Sequence, residues 1–244
     1  MTPTWMTAFL DLAPEEHDTA VEYWRAITGH GLSKPRGAHG EFASYLPPGA
    51  DVHLKVQRRG DGPSRVHLDL HVPVVGPAVE DAVRLGATLV AERGYAVLSS
   101  PGGFPFCFVT ERAAVVAAPS LWPGGHRSSV DQVCVDVPPA LWDTELAFWR
   151  DLTGWSTRRG GEEFVSLLRP PGVALRVLLQ RLDDPQPAVT GHLDLASTDR
   201  AAEVKRHVAL GARVLAVHDE WTVLQPPSGP PYCVTDRMPA ADAY

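Results

Sequence analysis

Cysteine is scarce in this chain, with three residues among 244. A small secreted domain stapled by disulfides would carry more of them at close spacing. Cys107 and Cys233 stand in two similar segments, Phe-Cys-Phe-Val and Tyr-Cys-Val-Thr. Their neighbours are apolar and offer no cation to activate a thiol, so we predict inert, buried thiols on strands.

Basic residues are outnumbered by acidic ones. Lys and Arg total 22 against 29 Asp and Glu, which gives a formal net charge of −7. No basic cluster is present that could neutralise a row of phosphates. We therefore expect neither a nucleic acid nor an anionic membrane surface as a partner.

Long apolar runs are missing as well. The most apolar stretch, residues 113–118, is far too short to cross a bilayer. The first ten residues lack the basic segment and apolar core of a signal peptide, so we expect a cytoplasmic protein. The chain also shows no Ser-His-Asp arrangement, phosphate-binding glycine loop or dinucleotide fingerprint.

What the chain does contain is a repeat. Residues 11–29 read DLAPEEHDTAVEYWRAITG, and residues 136–154 read DVPPALWDTELAFWRDLTG. Trp24 and Trp149 are 125 residues apart, and the same offset recurs further along the chain. The repeat predicts two domains of ordinary size.

The composition between the copies suggests where the domains end. We place the first domain at 1–110, a linker rich in Ala, Pro and Gly at 111–127, and the second domain at 128–238. Residues 239–244 then form a tail.

Each copy reads twice as strand, helix, strand, strand, strand. The first copy starts with an alternating strand at 9–12 and a helix with apolar residues at helical spacing that ends at Gly29. Short strands are predicted at 32–36, 40–46 and 51–58. Counterparts in the second copy are strands at 133–137, 155–159, 162–168 and 173–181 and a helix that ends at Gly154. The later helices are predicted at 76–85 and 198–210, which gives an α+β protein of four βαβββ modules.

The motifs in this order resemble the vicinal oxygen chelate superfamily, which contains glyoxalase I, bleomycin-resistance proteins, fosfomycin-resistance proteins and extradiol dioxygenases. The residues that carry the resemblance are YWRAITG and FWRDLTG, the two His-Leu-Asp-Leu segments and the closing Gly-x-x-(Phe/Tyr)-Cys. The resemblance covers almost the whole chain. It implies two tandem domains of the glyoxalase/bleomycin-resistance type, whose sheets curl around a concave ligand cavity.

The resemblance also implies where a metal would be bound. Relatives take one ligand from an opening strand, one from the first strand of the partner module and an acid from a final strand. The partner-strand histidine is present as His67 and His192. The opening-strand position holds Phe9 in one copy and Cys134 in the other, with Gln132 close by.

The expected acid is missing in both copies. Pro105 and Pro231 stand at its position, and proline has no side-chain donor. Gln57 and Gln180 end the fourth strand, where some relatives carry a Glu ligand. A histidine with a neutral amide is a poor site for a divalent ion, so we expect no metal cofactor.

Two His-Asp pairs are the candidate catalytic residues. His67 and Asp69, like His192 and Asp194, alternate with leucines and so lie on one face of a strand. An imidazole beside a carboxylate can perform acid–base work. Contact with a ligand without catalysis and a purely structural role remain alternatives. His71 extends the first row as a ligand-binding candidate.

Aromatic residues complete the predicted site. Tyr95 and Trp221 correspond in the repeat and are placed on a strand inside the cavity, where they could stack on a flat ligand. Trp24 and Trp149 lie on the apolar helix stripe and are assigned to the core. Six histidines without a repeat counterpart are predicted to be solvent-exposed: His17, His30, His39, His126, His207 and His218.

Three functions compete. The first is a binding protein that holds a small molecule, aromatic in character, without altering it. The second is a metal-independent isomerase, lyase or cyclase that uses the His-Asp pairs. The third, a metal-dependent glyoxalase or dioxygenase, is disfavoured by the prolines. The sequence leaves open a monomer or a homodimer, and cavities within a domain, between domains or across a dimer.

Overall fold

A computed structural model describes residues 2–239 of the chain. Four modules follow one another, each with a strand, a helix and three further strands. The first module contains β1 (Trp5–Leu12), α1 (His17–Thr28), β2 (Gly31–Leu32), β3 (Phe42–Leu46) and β4 (Leu54–Arg58). The second contains β5 (Arg65–His71), α2 (Val75–Arg84), β6 (Thr88–Glu92), β7 (Ala96–Ser99) and β8 (Pro105–Val109).

The second half repeats this order. A short strand, β9 (Ser120–Leu121), precedes the third module, which contains β10 (Arg127–Val137), a 3₁₀ turn (Pro139–Leu141), α3 (Trp142–Thr153), β11 (Thr157–Arg159), β12 (Phe164–Leu167) and β13 (Arg176–Arg181). The fourth contains β14 (Thr190–Ser197), α4 (Arg200–Ala209), β15 (Arg213–Val217), β16 (Trp221–Gln225) and β17 (Tyr232–Thr235). The predicted α+β class and the four βαβββ modules are confirmed.

The strands form two sheets. The order in the first is β2-β3-β4-β1-β5-β8-β7-β6, and the second has the equivalent order β11-β12-β13-β10-β14-β17-β16-β15. In the second and fourth modules, the first and last strands pair in parallel: β5 with β8, and β14 with β17. This parallel pairing brings residues far apart in sequence side by side.

Contacts divide the chain into two compact units. The first comprises the chain up to Ala8, Val66–Ala114 and Val133–Gly191, and the second comprises Phe9–Arg65, Val115–Gln132 and the described residues from His192. Each unit draws one module from each copy of the repeat. The domain boundaries expected from the sequence stay a prediction, and positions 240–244 of the expected tail lie outside the described residues.

The helices begin and end for local reasons. Gly29 and Gly154 cap α1 and α3 with φ of 69° and 67°, as predicted. Asp199 caps α4 by accepting a hydrogen bond from the Ala202 N–H. None of the helices within residues 2–239 is long and apolar enough to span a membrane.

Aromatic side chains fill both cores. In the first unit, Phe106 contacts Phe148 and Trp149, and the Trp149 indole donates a hydrogen bond to the buried Glu145. In the second unit, Trp24 packs against Tyr232 with ring centroids 5.2 Å apart. Trp24 and Trp149 are 1% and 0% exposed, so their assignment to the core is confirmed.

Some sequence predictions were wrong locally. The strand expected at 32–36 is reduced to β2 and an isolated bridge at Arg36, because Pro35 has no N–H for a ladder. Tyr95 lies before β7 instead of on a strand, because Gly94 adopts a φ of 75° and the Arg93 N–H closes the turn onto the Tyr95 carbonyl.

Two of the histidines predicted to be exposed are buried. His126 is 7% exposed and His207 is 0% exposed, because both contact the buried carboxylate of Glu203. The expectation of exposure does hold for His39 and His218, whereas His17 and His30 are half-buried.

Candidate functional site

The first candidate site lies on β5 and β8. Asp69 is the register partner of Cys107 on the parallel neighbour, and His67 lies two residues before Asp69 on the same face. His67 Nε2 is 3.5 Å from Asp69 Oδ1. One donor atom from each of the three residues lies within 4.8 Å of the others, and all three residues are buried. We call this group the first trio.

The second trio repeats the arrangement on β14 and β17. Asp194 is the register partner of Cys233, and His192 Nε2 is 3.3 Å from Asp194 Oδ1. The three donor atoms again lie within 4.8 Å of one another. Unlike His67, whose side chain is 9% exposed, the His192 side chain is 20% exposed. The imidazole of the second trio is therefore the more accessible one.

Asp194 is held by further polar groups. The Gln132 amide donates a hydrogen bond to Oδ2, and Arg237 Nη1 lies 3.8 Å from the same oxygen. Burial raises the pKa of Asp194, but the hydrogen bond and charge of His192, the charge of Arg237 and the Gln132 hydrogen bond together bring the pKa below its usual value. Oδ1 is buried and lies 3.3 Å from His192 Nε2, a contact that lacks the geometry of a well-aligned hydrogen bond. This carboxylate stays ionised, and Oδ1 has room for a better-aligned donor, because a carboxylate oxygen can accept two hydrogen bonds.

Asp69 of the first trio has different neighbours. Thr7 stands at the repeat position of Gln132, but its hydroxyl hydrogen-bonds His71 Nε2 at 2.9 Å. Counted from the repeated cysteine, Glu111 stands where the second copy has Arg237. Among the described residues, the one ion pair of Asp69 is with His67. The two trios thus have the same donors in different electrostatic surroundings.

Burial raises the pKa of the Cys107 thiol, and the nearby Asp69 charge raises it further against the opposing effect of His67. The thiol is therefore protonated at neutral pH in the absence of a cation. Cys107, Cys134 and Cys233 are buried and form no disulfide among the described residues, and the burial of Cys107 and Cys233 confirms that prediction.

The predicted ligand-contact residues have distinct surroundings. His71 uses both ring nitrogens, because Nδ1 lies 2.9 Å from the Glu111 carbonyl and Nε2 bonds Thr7. Trp221 begins β16 two residues before Val223, the register partner of Cys233, and so shares the face of the second trio. One face of its ring stacks on His218, with centroids 4.5 Å apart.

The remaining candidates lie on other strands. Tyr95 precedes Val97, the register partner of Cys107, by two residues, but Tyr95 lies in the turn before β7. Gln57 is half-buried on β4 opposite Phe42. Gln180 is half-buried on β13, where its Oε1 lies 3.8 Å from the Cys134 sulfur. The role of each in ligand binding stays a prediction.

Sequence reasoning missed a buried polar cluster around Glu203. Its carboxylate accepts hydrogen bonds from Ser128 and Arg206 and lies 2.8 Å from His126 Nε2. His207 connects it to the Tyr232 hydroxyl at 2.7 Å. Burial alone would raise the pKa of Glu203, but the His207 and Arg206 hydrogen bonds bring it far below the usual value. The spacing Glu203-Arg206-His207 on one helix face was the available signal.

The donor set that the family resemblance implies for a metal does not fit this chain. Phe9 has no donor, and Pro105 and Pro231 replace the acid. The trios offer a different set, with imidazole nitrogen, carboxylate oxygen and sulfur brought together by the parallel strand pairs. The donors expected from the sequence do not include the sulfur atoms of Cys107 and Cys233, and the expectation of no metal stays a prediction.

Comparisons with known proteins agree with this architecture. A family model described as a glyoxalase-like domain matches residues 7–109 and again residues 132–235. A search of curated proteins found no match.

Solved structures with the same fold have low sequence identity. A mutant of 4-hydroxymandelate synthase from Streptomyces coelicolor is 14% identical, with 97% of this chain and 94% of that chain covered and a TM-score of 0.60. The Mn(II)-bound glyoxalase from Novosphingobium aromaticivorans is 14% identical, with 96% and 81% covered and a TM-score of 0.63. The 2,2',3-trihydroxybiphenyl 1,2-dioxygenase from Sphingomonas wittichii is 13% identical, with 96% and 90% covered and a TM-score of 0.62.

Proposed function

Because this chain belongs to the glyoxalase-like domain family, we propose that it binds a small molecule at the second trio and that this binding needs no metal. The membership confirms the resemblance to the vicinal oxygen chelate superfamily. Within that superfamily the activity is set by the site and not by the fold. The proposal therefore rests on His192 and Asp194.

The observation that carries the proposal is the Oδ1 atom of Asp194. This oxygen is buried, belongs to an ionised carboxylate and contacts His192 Nε2 at 3.3 Å without a well-aligned hydrogen bond. A well-aligned hydrogen bond to a charged acceptor contributes about 1.5–3 kcal/mol. A ligand that donates an O–H or N–H to Oδ1 gains such a bond, and the adjacent, partly exposed His192 offers a second polar contact.

The surroundings favour a flat ligand with a hydroxyl group. Trp221 lies on the same face of the sheet as His192 and Asp194, two strands away on β16, and offers aromatic surface to a ligand that extends across that face. Two of the structural neighbours are named for hydroxylated aromatic compounds, which is consistent with this class. We infer that phenols fit better than their methyl ethers, which lack the donor.

A thermal-shift screen of paired phenols and methyl ethers tests this function. The full chain, dialysed against a chelator, should show a higher melting temperature with phenols and a smaller increase with the ethers. A hydrogen bond to a charged group is worth about 1.5–3 kcal/mol, so affinity should differ by roughly 10- to 100-fold within a pair. Equal shifts for both members of every pair would contradict the proposal.

A metal-independent isomerase, lyase or cyclase is the second candidate function. The observation that favours it is that Asp194, fixed by Gln132 and Arg237, holds a partly exposed imidazole as an acid–base catalyst would require. Incubation of each bound compound with the protein separates the two functions. A binding protein returns the compound unchanged, whereas an enzyme converts it, and His192→Ala then loses the conversion.

A further inference from the structure

The first trio has the composition of a metal site of its own. Sulfur, imidazole nitrogen and carboxylate oxygen are the donors that zinc and similar ions take in proteins. Their donor atoms already lie within 4.8 Å of one another in His67, Asp69 and Cys107. We propose that this trio binds one soft divalent cation, with zinc as the natural choice and cobalt as its spectroscopic substitute.

The charges of the first trio balance those of such an ion. When the cation binds, the Cys107 thiol gives its proton to solvent, and the thiolate and the Asp69 carboxylate together neutralise two positive charges. His67 contributes a neutral nitrogen. The complex of the cation with its three ligands is therefore neutral overall. Neutrality suits a buried position, because an uncompensated charge there is costly.

The strand pairing holds two of the three ligands in place. Asp69 and Cys107 are register partners on β5 and β8, so their separation is set by the ladder and not by flexible loops. His67 is fixed by the same strand two residues earlier. Ligands carried on rigid elements need little reorganisation to bind an ion.

The second trio is expected to bind the cation much less tightly, although its donors are the same. Gln132 and Arg237 already contact Asp194 Oδ2, and the guanidinium places a positive charge next to any incoming cation. The first copy has Glu111 at the position of Arg237. This difference in the charge next to the two trios assigns the cation to the first trio and the organic ligand to the second. The assignment of the cation does not depend on finding that ligand.

A cobalt titration of the full chain tests the assignment. Chelator-treated protein is titrated with Co²⁺ alone under a non-thiol reductant, and the thiolate-to-cobalt charge-transfer absorption is recorded. One equivalent should produce the band, and one equivalent of Zn²⁺ should remove it. No band in the wild type would overturn the proposal.

Cys107→Ser and Cys233→Ser form a matched pair at equivalent positions of the repeat. The band should disappear in Cys107→Ser, with cobalt affinity weakened by more than about 100-fold, because loss of even an outer-shell partner costs roughly 10- to 100-fold. Cys233→Ser should keep both the band and the affinity. Loss of the band in Cys233→Ser instead would place the ion in the second copy and overturn the assignment.

A measurement on the wild type remains decisive should Cys107→Ser fail to fold. The protein is mildly denatured to a fixed extent and labelled with a maleimide in the presence or absence of Zn²⁺, and each cysteine is mapped by mass spectrometry. Zinc should protect Cys107 more than Cys134 and Cys233. Equal protection of all three, or none, would contradict a specific site at the first trio.

Discussion

Asp69 and Cys107 lie side by side on two parallel strands, although 38 positions separate them in the sequence. The same relationship joins Asp194 to Cys233 in the second copy. Each pair adds a sulfur atom to a His-x-Asp row that would otherwise offer only nitrogen and oxygen. The repeat therefore preserves a three-residue group, and its neighbours in each copy give it a different electrostatic character.

Replacing Glu203 with alanine should strongly destabilise the protein. The substitution leaves Arg206, His126 and His207 without the buried carboxylate that they contact. Removing one partner of a buried ion pair typically costs about 3–5 kcal/mol. Urea unfolding at neutral pH measures the loss.

Glu22→Ala is the control for this substitution, because Glu22 forms an exposed ion pair with Arg25 on α1. Its effect on the unfolding free energy should stay within about 1 kcal/mol. Comparable losses in Glu203→Ala and Glu22→Ala would mean that the buried cluster contributes no special stability.

His30 should remain neutral well below the usual histidine range. Burial lowers its pKa to about 4 from an ordinary value of 6.5. Between these values the unfolded chain binds more protons than the folded one, so stability decreases as the pH falls from 6.5 towards 4. Urea unfolding at pH 7.5 and pH 5, with His30→Asn beside the wild type, measures this contribution.

The His30→Asn variant should lose less stability between these two pH values than the wild type does. His207, whose pKa burial also lowers, contributes to the acid sensitivity of both proteins and cancels in the comparison. Exposed His39 provides the control, since His39→Asn should follow the wild type. Identical pH profiles for wild type and His30→Asn would show that His30 titrates normally.

Gly191, directly before His192, should tolerate no side chain. A Cβ there would lie 2.7 Å from the Phe104 ring and 2.8 Å from the Cys134 carbonyl oxygen. Gly191→Ala should reduce the unfolding free energy by about 1–3 kcal/mol, as overpacking does. Thermal unfolding followed by circular dichroism is sufficient to detect the change.

Gly60, after β4, provides the contrast, because its φ is not positive and no heavy atom outside its chain neighbours lies within 4 Å of an added Cβ. Gly60→Ala should stabilise the protein by about 0.4–1 kcal/mol through a more restricted unfolded chain. A neutral Gly191→Ala would mean that the backbone near His192 is less tightly packed than the structure indicates.

The module order, the helix ends and the faces of the His-Asp rows could be predicted from the sequence because each depends on local pattern. Gly29, for example, needs only its left-handed φ to end α1. The sequence does not identify the cysteine as the third member of each trio, because the contact of Cys107 with Asp69 depends on the parallel pairing of β5 with β8. The apolar neighbours of Cys107 indicate only a buried thiol on a strand, because the sequence does not show which strand pairs with it.

The buried histidines have a similar explanation. His126 has no apolar periodicity around it and lies in a segment rich in glycine and proline, which indicates a surface loop. Its burial depends on Glu203, which is 77 positions away. Only the three-dimensional arrangement of α4 and the start of β10 brings these two side chains together.

Calorimetric titration of a phenol identified in the thermal-shift screen tests the central claim most directly. The titration uses chelator-treated wild type, His192→Ala and the matched variant His67→Ala. The account predicts binding without metal that weakens by at least about 10-fold in His192→Ala, as expected for loss of a polar contact beside a charged group, and that is unchanged in His67→Ala. Binding that survives His192→Ala at full strength, or that appears only after a divalent metal is added back, would contradict it.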